Sequence, residues 1–159
     1  TGERVSSTDP WYSPYEQWVD HISGTHEVTF VVAAGNNGIG QDISIPGLAH
    51  NVITVGAIDD NNTGSVLTDD YLWPNTSTSN GNQDGCAKPD VMAPGTNEFS
   101  YDDQGNRIQY KGTSSAAPIV VGLAAQMMEY DRSRPSSRPA VTARSAIRRE
   151  AARKPWNRD

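Results

Sequence analysis

Gly112-Thr113-Ser114-Ser115-Ala116-Ala117-Pro118 is the stretch on which the reading of this chain turns, and it runs directly into the apolar segment Ile119 to Met128. Small residues and a proline ahead of an apolar run mark the mouth of a helix, where the first N–H groups lack intrahelical partners and a proline is tolerated. A helix N-terminus carries partial positive charge and free donors, so an alkoxide or oxyanion formed at Ser114 would be stabilised there. Taken alone, such a serine is more often a cap than a nucleophile.

A second stretch changes the weighting. Val31-Val32-Ala33-Ala34-Gly35-Asn36-Asn37-Gly38 reads as a buried strand running into a Gly/Asn turn, which presents a carboxamide at the strand's C-terminal end, where open α/β sheets place their chemistry. Asn36 offers two N–H donors with no charge to desolvate, as an oxyanion stabiliser requires. On its own, Asn-Asn-Gly is ordinary turn chemistry.

Joined to Lys88-Pro89-Asp90-Val91-Met92-Ala93-Pro94-Gly95, these stretches resemble the subtilisin-like serine proteases, the subtilases of peptidase family S8. Gly112 to Pro118 is similar to the family's Gly-Thr-Ser-x-Ala-x-Pro signature, which implies the nucleophile role for Ser114 rather than Ser115. Ala33 to Gly38 is similar to its oxyanion-hole strand and turn, which implies the donor role for Asn36. Ile45-Pro46-Gly47 followed by Asn51 to Ala57 resembles its substrate-pocket loop and next core strand. By that resemblance Ala33, Ala34 and Gly35 line one wall of the P1 pocket, and Ser44 to Gly47 close its base.

The resemblance covers roughly residues 12 to 153 and departs from the family in one respect. The family's triad aspartate, in an Asp-Thr/Ser-Gly stretch, and its histidine, in His-Gly-Thr-His, lie upstream of the oxyanion strand, and neither motif occurs here. His21, His26 and His50 read as surface or element-end residues. Asp20 and His21 are neighbours that would point apart on a helix, Gly24-Thr25-His26 is a partial echo that runs straight into a strand, and Asp90 is not the family's triad aspartate. Without a base the Ser114 hydroxyl is a weak nucleophile, so the chain alone is expected to turn over little or nothing.

The expected architecture is α/β: a partial subtilisin-like three-layer fold whose mainly parallel sheet is flanked by helices. Residues 1 to 159 read as the C-terminal portion of a peptidase domain, with 60–87 a long surface excursion and 131–159 a basic C-terminal helix and tail. Along the chain, Tyr12 to Ile22 predicts a helix with an apolar stripe of Tyr15, Trp18, Val19 and Ile22. Strands are expected over Glu27 to Ala34, Asn51 to Ile58 and Val91 to Ala93, then a hairpin of Glu98 to Tyr101 and Arg107 to Lys111. The helix from Ser115 to about Tyr130 is apolar nearly all round and is expected to be buried; a last helix spans about Ala140 to Arg153.

Composition excludes several classes. At 159 residues the chain makes one domain, and its mean hydropathy of −0.62 is polar for an enzyme. Residues 1 to 130 carry net −12 and residues 131 to 159 net +6; the basic end reads as a solvated helix face rather than a nucleic-acid surface, and no run is long enough to span a bilayer. The single cysteine, Cys86, is a passive thiol by default. No cofactor is required; the resemblance allows calcium, with the acidic pairs Asp59-Asp60, Asp69-Asp70 and Asp102-Asp103 as loose candidates, but no EF-hand pattern is present and no metal ligand is assigned.

Two functions follow. The first is a serine endopeptidase fragment acting on peptide or protein substrates through an acyl-enzyme on Ser114, completed by a missing N-terminal half that supplies Asp and His. The alternative is a non-catalytic subtilase-like interaction module. The resemblance implies a secreted or extracytoplasmic protein, and truncation implies self-association through the face the missing half would cover.

Overall fold

In a computed structural model the described residues are 12–63, 69–78, 87–132 and 147. Cys86 and most of the basic end, including the helix expected over residues 140 to 153 apart from Ile147, lie outside them. Helix α1 (Pro14–Thr25) opens on a capping box. The Ser13 hydroxyl accepts from the Glu16 N–H at 3.3 Å and the Glu16 carboxylate accepts from the Ser13 N–H at 2.8 Å, which satisfies two first-turn donors at once.

The buried face of α1 is not the apolar stripe that its sequence suggests. Tyr15 and Trp18 are 55% and 53% exposed and stack on one another outside, whereas Glu16, Val19, Asp20 and Ser23 face inward. Backbone donors explain this orientation. Glu16 accepts from Leu48 N–H, and Asp20 accepts from His50 N–H and Asn51 N–H and from the Tyr12 hydroxyl. The two carboxylates thus satisfy the N–H groups of the loop that enters the next strand, and a buried carboxylate stays inside when it is so bonded.

Strand β1 (Phe30–Ala33) pairs in parallel with β2 (Val52–Asp59), in the register Phe30 with Val52 to Ala33 with Val55. The central strand β2 is buried from Val52 to Ile58. Beyond the end of β1 it pairs antiparallel with β3 (Tyr71–Leu72), and along its other edge in parallel with β4 (Val91–Pro94). A hairpin, β5 (Glu98–Tyr101) and β6 (Arg107–Tyr110), follows, with Arg107 lying 3.7 Å over the Phe99 ring. It leads into α2 (Thr113–Arg132).

Alternation along β2 divides the core into two layers. Ile53, Val55 and Ala57 face α2, where Ala116, Val120 and Ala124 pack with Ala93 and Ile147. Val52 faces α1 with Val19 and Ala49. The result is helix, sheet, helix: the mixed α/β three-layer architecture expected, with parallel β1, β2 and β4 and one short antiparallel strand.

Three details differ from expectation. First, β1 begins at Phe30 rather than Glu27 and is only half-buried, because its second edge has no strand partner among the described residues. Second, α2 is buried on one side only: Ile119, Val121 and Leu123 are 42%, 49% and 49% exposed, since a helix apolar all round needs cover on both sides and here one sheet covers one side. Third, α2 begins at Thr113, so Pro118 falls in its second turn, and the N–H that would have bonded the Ser114 carbonyl is absent.

The segment expected as a surface excursion is also packed in its middle. Thr76 and Ser77 are fully buried, and residues 74 to 78 run beneath the Asn36 turn as a strap.

Candidate active site

Ser114 stands exposed in the first turn of α2. Gly112, at φ +128°, delivers the chain to it, a left-handed conformation that L side chains disfavour. A Cβ there would also lie 3.2 Å from Asn36 Nδ2, so the asparagine side chain rests on the glycine just ahead of the serine. The Gly112 N–H donates to the Gly95 carbonyl at 2.6 Å, and the Gly95 N–H to Ile58 at 3.0 Å. The Ala93-Pro94-Gly95 stretch therefore fastens the start of α2 to the sheet.

Thr113, fully buried, joins the two motifs. Its N–H donates to Asn36 Oδ1 at 3.0 Å and its hydroxyl donates to the same oxygen at 2.9 Å, while the hydroxyl accepts from the Gly35 N–H at 3.2 Å. A backbone N–H can be accepted only by the carboxamide oxygen, so these bonds fix which way the amide faces. Asn36 Nδ2 and the Ser114 N–H donate no hydrogen bond among the described residues. Two free donors are thus held on either side of Thr113, the kind of pair that stabilises a developing oxyanion.

The expected pocket residues are brought together unequally. The Ser44 N–H donates to the Ala34 carbonyl at 2.8 Å, and a Cβ on Gly35 would meet Ser44 Oγ at 2.3 Å, so loop and strand are in contact. Ala34, however, is fully buried with Ile43 and Leu48. Strand alternation turns its methyl inward and leaves Ala33 and Gly35 as the partly exposed wall. Gly47 is buried as well; its carbonyl accepts from the Thr54 hydroxyl, which in turn accepts from Lys88 Nζ at 3.0 Å. Lys88 and Asp90 form a buried ion pair at 2.6 Å, so the Asp90 of Lys-Pro-Asp is a structural counter-ion.

None of the three histidines sits with Ser114. His50 packs against the Tyr12 ring on the α1 side of the sheet, and His21 and His26 are exposed on α1 and at its C-cap. Beside Ser114 opens a cleft of about 450 Å³ between the hairpin and α2, walled by Phe99, Tyr110, Pro118 and Ile119 with Glu98 and Lys111 at its margin. Burial first, and the Asp60 carboxylate second, push the Glu98 carboxyl above its ordinary value.

The acidic pairs are engaged unequally. Burial pushes the Asp59 carboxyl up, but hydrogen bonds from the Asn61 N–H and the Tyr71 hydroxyl help to hold its pKa below the ordinary value. Asp69 accepts from the Thr63 hydroxyl, and Asp102 accepts from the Gln104 and Asn106 N–H groups and from Asn106 Nδ2. Asp59, Asp69 and Asp102 are engaged in their own turns, whereas the buried Asp70 Oδ1 has no hydrogen-bond partner among the described residues, and among those residues no three His, Cys, Asp or Glu side chains group together. Among those residues, too, no helix is long and apolar enough to cross a membrane.

The chain is similar to known serine proteases. The chain is 39% identical to serine protease AprX of Bacillus subtilis over 119 residues, which is 65% of this chain and 26% of that protein. It is 34% identical to subtilisin-like protease 2 of Arthroderma otae over 135 residues, 84% of this chain and 28% of that one. Among solved structures, the self-cleaved protease domain of PatA superposes with a TM-score of 0.63 at 25% identity, over 80% of this chain and 43% of that domain. The patellamide maturation protease PatA gives 0.65 at 25% identity, over 91% and 47%. The chain therefore spans about a quarter of the length of these curated relatives and under half of these solved domains. The model of the subtilase family, peptidase S8, matches residues 2–158, and the chain belongs to that family.

Proposed function

We propose that this chain is the nucleophile-bearing part of a subtilisin-like serine endopeptidase domain, cleaving peptide bonds through an acyl-enzyme on Ser114. The observation that carries the reading is the coupling of Asn36 to the residue before Ser114, with Nδ2 and the Ser114 N–H both left free to donate. Ser114 Oγ attacks the scissile carbonyl, the two donors hold the oxyanion, and Ala33, Gly35 and the loop around Ser44 to Gly47 bound the P1 side chain. The general base and its aspartate come from an upstream segment. That segment covers the exposed α2 residues Ile119, Val121 and Leu123 and pairs with the open edge of β1. Family membership further supports a peptide or protein substrate and a secreted or extracytoplasmic setting.

A serine-directed fluorophosphonate probe tests this on the full-length protein. Covalent labelling at Ser114, abolished by Ser114→Ala and by prior denaturation, is expected. A full-length protein that folds and yet fails to label would instead favour the non-catalytic interaction module.

A further inference from the structure

Asn36 is held from the front by Thr113, and the structure shows what holds it from behind. Ser77 is fully buried. Its N–H donates to the Gly35 carbonyl at 2.9 Å, and its Oγ accepts from the Asn37 N–H at 3.2 Å. The backbone on both sides of Asn36 is therefore tied to one serine. Gly35, at φ +111°, permits the approach: a Cβ there would lie 3.0 Å from Ser77 Oγ. The strap is itself fixed to the central strand, with Thr76 Oγ1 accepting from the Ala57 N–H at 2.9 Å and the Trp73 N–H donating to the Ala57 carbonyl at 3.1 Å.

From this bracket we infer that Ser77 is a positioning residue for the oxyanion-stabilising carboxamide of Asn36. A donor lowers the barrier only if it already stands where negative charge will appear, and a small displacement forfeits most of that effect. Thr113 sets the orientation of the amide group, whereas Ser77 sets the backbone from which it projects. Ser77 touches no substrate; it acts through Asn36, and the inference rests on the oxyanion role proposed for that residue.

The test uses the full-length protein and a peptide substrate. Ser77→Ala leaves the Asn37 N–H without its acceptor and should lower kcat about tenfold with KM unchanged, since the loss falls on the transition state. Fluorophosphonate labelling should slow in parallel. Thr78→Val removes the acceptor of the Gly40 N–H, four residues past Asn36, and should leave kcat at its original value. Should Ser77→Ala fail to fold, Ser77→Cys, which keeps the volume and a weak acceptor, carries the same test with a smaller loss. An unchanged kcat in the folded Ser77 variant, or an equal loss in Thr78→Val, overturns the inference. Asn36→Ala in the same background separates the two levels. If it abolishes turnover while the Ser77 variant is silent, the positioning role alone fails; if it too is silent, the oxyanion reading fails first.

Discussion

The carboxamide oxygen of Asn36 accepts two hydrogen bonds from Thr113, one from its N–H at 3.0 Å and one from its hydroxyl at 2.9 Å. The two residues lie 77 positions apart in the chain, and neither bond involves the amide nitrogen. The oxygen is used to anchor the side chain, and the nitrogen is kept for another acceptor. Because the Thr113 hydroxyl also accepts from the Gly35 N–H, strand turn and helix mouth form one connected unit rather than two loops that happen to meet.

Thr113→Val preserves shape and deletes the hydroxyl at a fully buried position. The Gly35 N–H loses its acceptor and Asn36 keeps one bond of two. Stability should fall by about 1–3 kcal/mol, the cost of an unsatisfied buried donor, and kcat should fall roughly tenfold as the carboxamide gains freedom, a step of about 1.4 kcal/mol. Asn36→Ala should be more severe, roughly 10²–10³-fold in kcat, the range that loss of such a donor costs serine peptidases, subtilisin among them. Denaturant titration together with kcat and KM on the full-length protein checks both, and a Thr113→Val enzyme with native kcat would contradict the coupling.

Much of this site was legible in the sequence because its parts are contiguous motifs. Gly112 to Pro118 and Val31 to Gly38 each carry their turn glycine and polar group within a few residues. What stayed hidden depends on distant partners. Glu16 and Asp20 face inward because they meet N–H groups of residues 48, 50 and 51, and helical periodicity, which sorts residues by polarity, puts Tyr15 and Trp18 there instead. Ser77 lies in a stretch whose Asn, Ser and Thr content reads as loop. Its burial follows from hydrogen bonds to a turn 40 residues upstream, for which composition gives no signal. The inward methyl of Ala34 was open to reading, since alternation from Ala33 predicts it.

The Lys88–Asp90 ion pair gives a prediction about the scaffold alone. Lys88 is 3% exposed, and its Nζ also donates to Thr54 Oγ1. Lys88→Met removes the counter-ion of the Asp90 carboxylate, which also accepts from the Thr54 N–H, and removing one partner of a buried pair costs about 3–5 kcal/mol. Guanidinium unfolding should show that loss. Lys88→Met combined with Asp90→Asn should recover part of it, because the second change removes the uncompensated charge.

Glu98 offers a pH test at the edge of the cleft. Burial and the Asp60 carboxylate raise its pKa in the folded chain above the ordinary 4.5. A raised carboxyl pKa means that the ionised form is penalised on folding, so the associated stability is present below the unfolded value and is lost as pH rises through the folded one. Glu98→Gln should therefore raise Tm at pH 7 and make little difference at about pH 3, where both states hold the proton. A gain that persisted unchanged in acid would point to packing instead of charge.

The last prediction concerns α2. Ile119, Val121 and Leu123 stand 42–49% exposed along a helix whose other side is fully engaged with the sheet, and β1 has one open edge among the described residues. An uncovered apolar helix face beside an unpaired strand edge is a surface that associates. The isolated chain should scatter light as an oligomer at micromolar concentration, and Leu123→Asp should shift it toward monomer by placing a carboxylate where apolar contact is needed. The same substitution in the full-length protein should instead destabilise the fold if the upstream segment proposed above packs on this face. The opposite signs separate a face that is covered in the full-length protein from one that stays exposed to solvent, and a native-like Tm for the full-length Leu123→Asp protein would show that no upstream segment packs on α2.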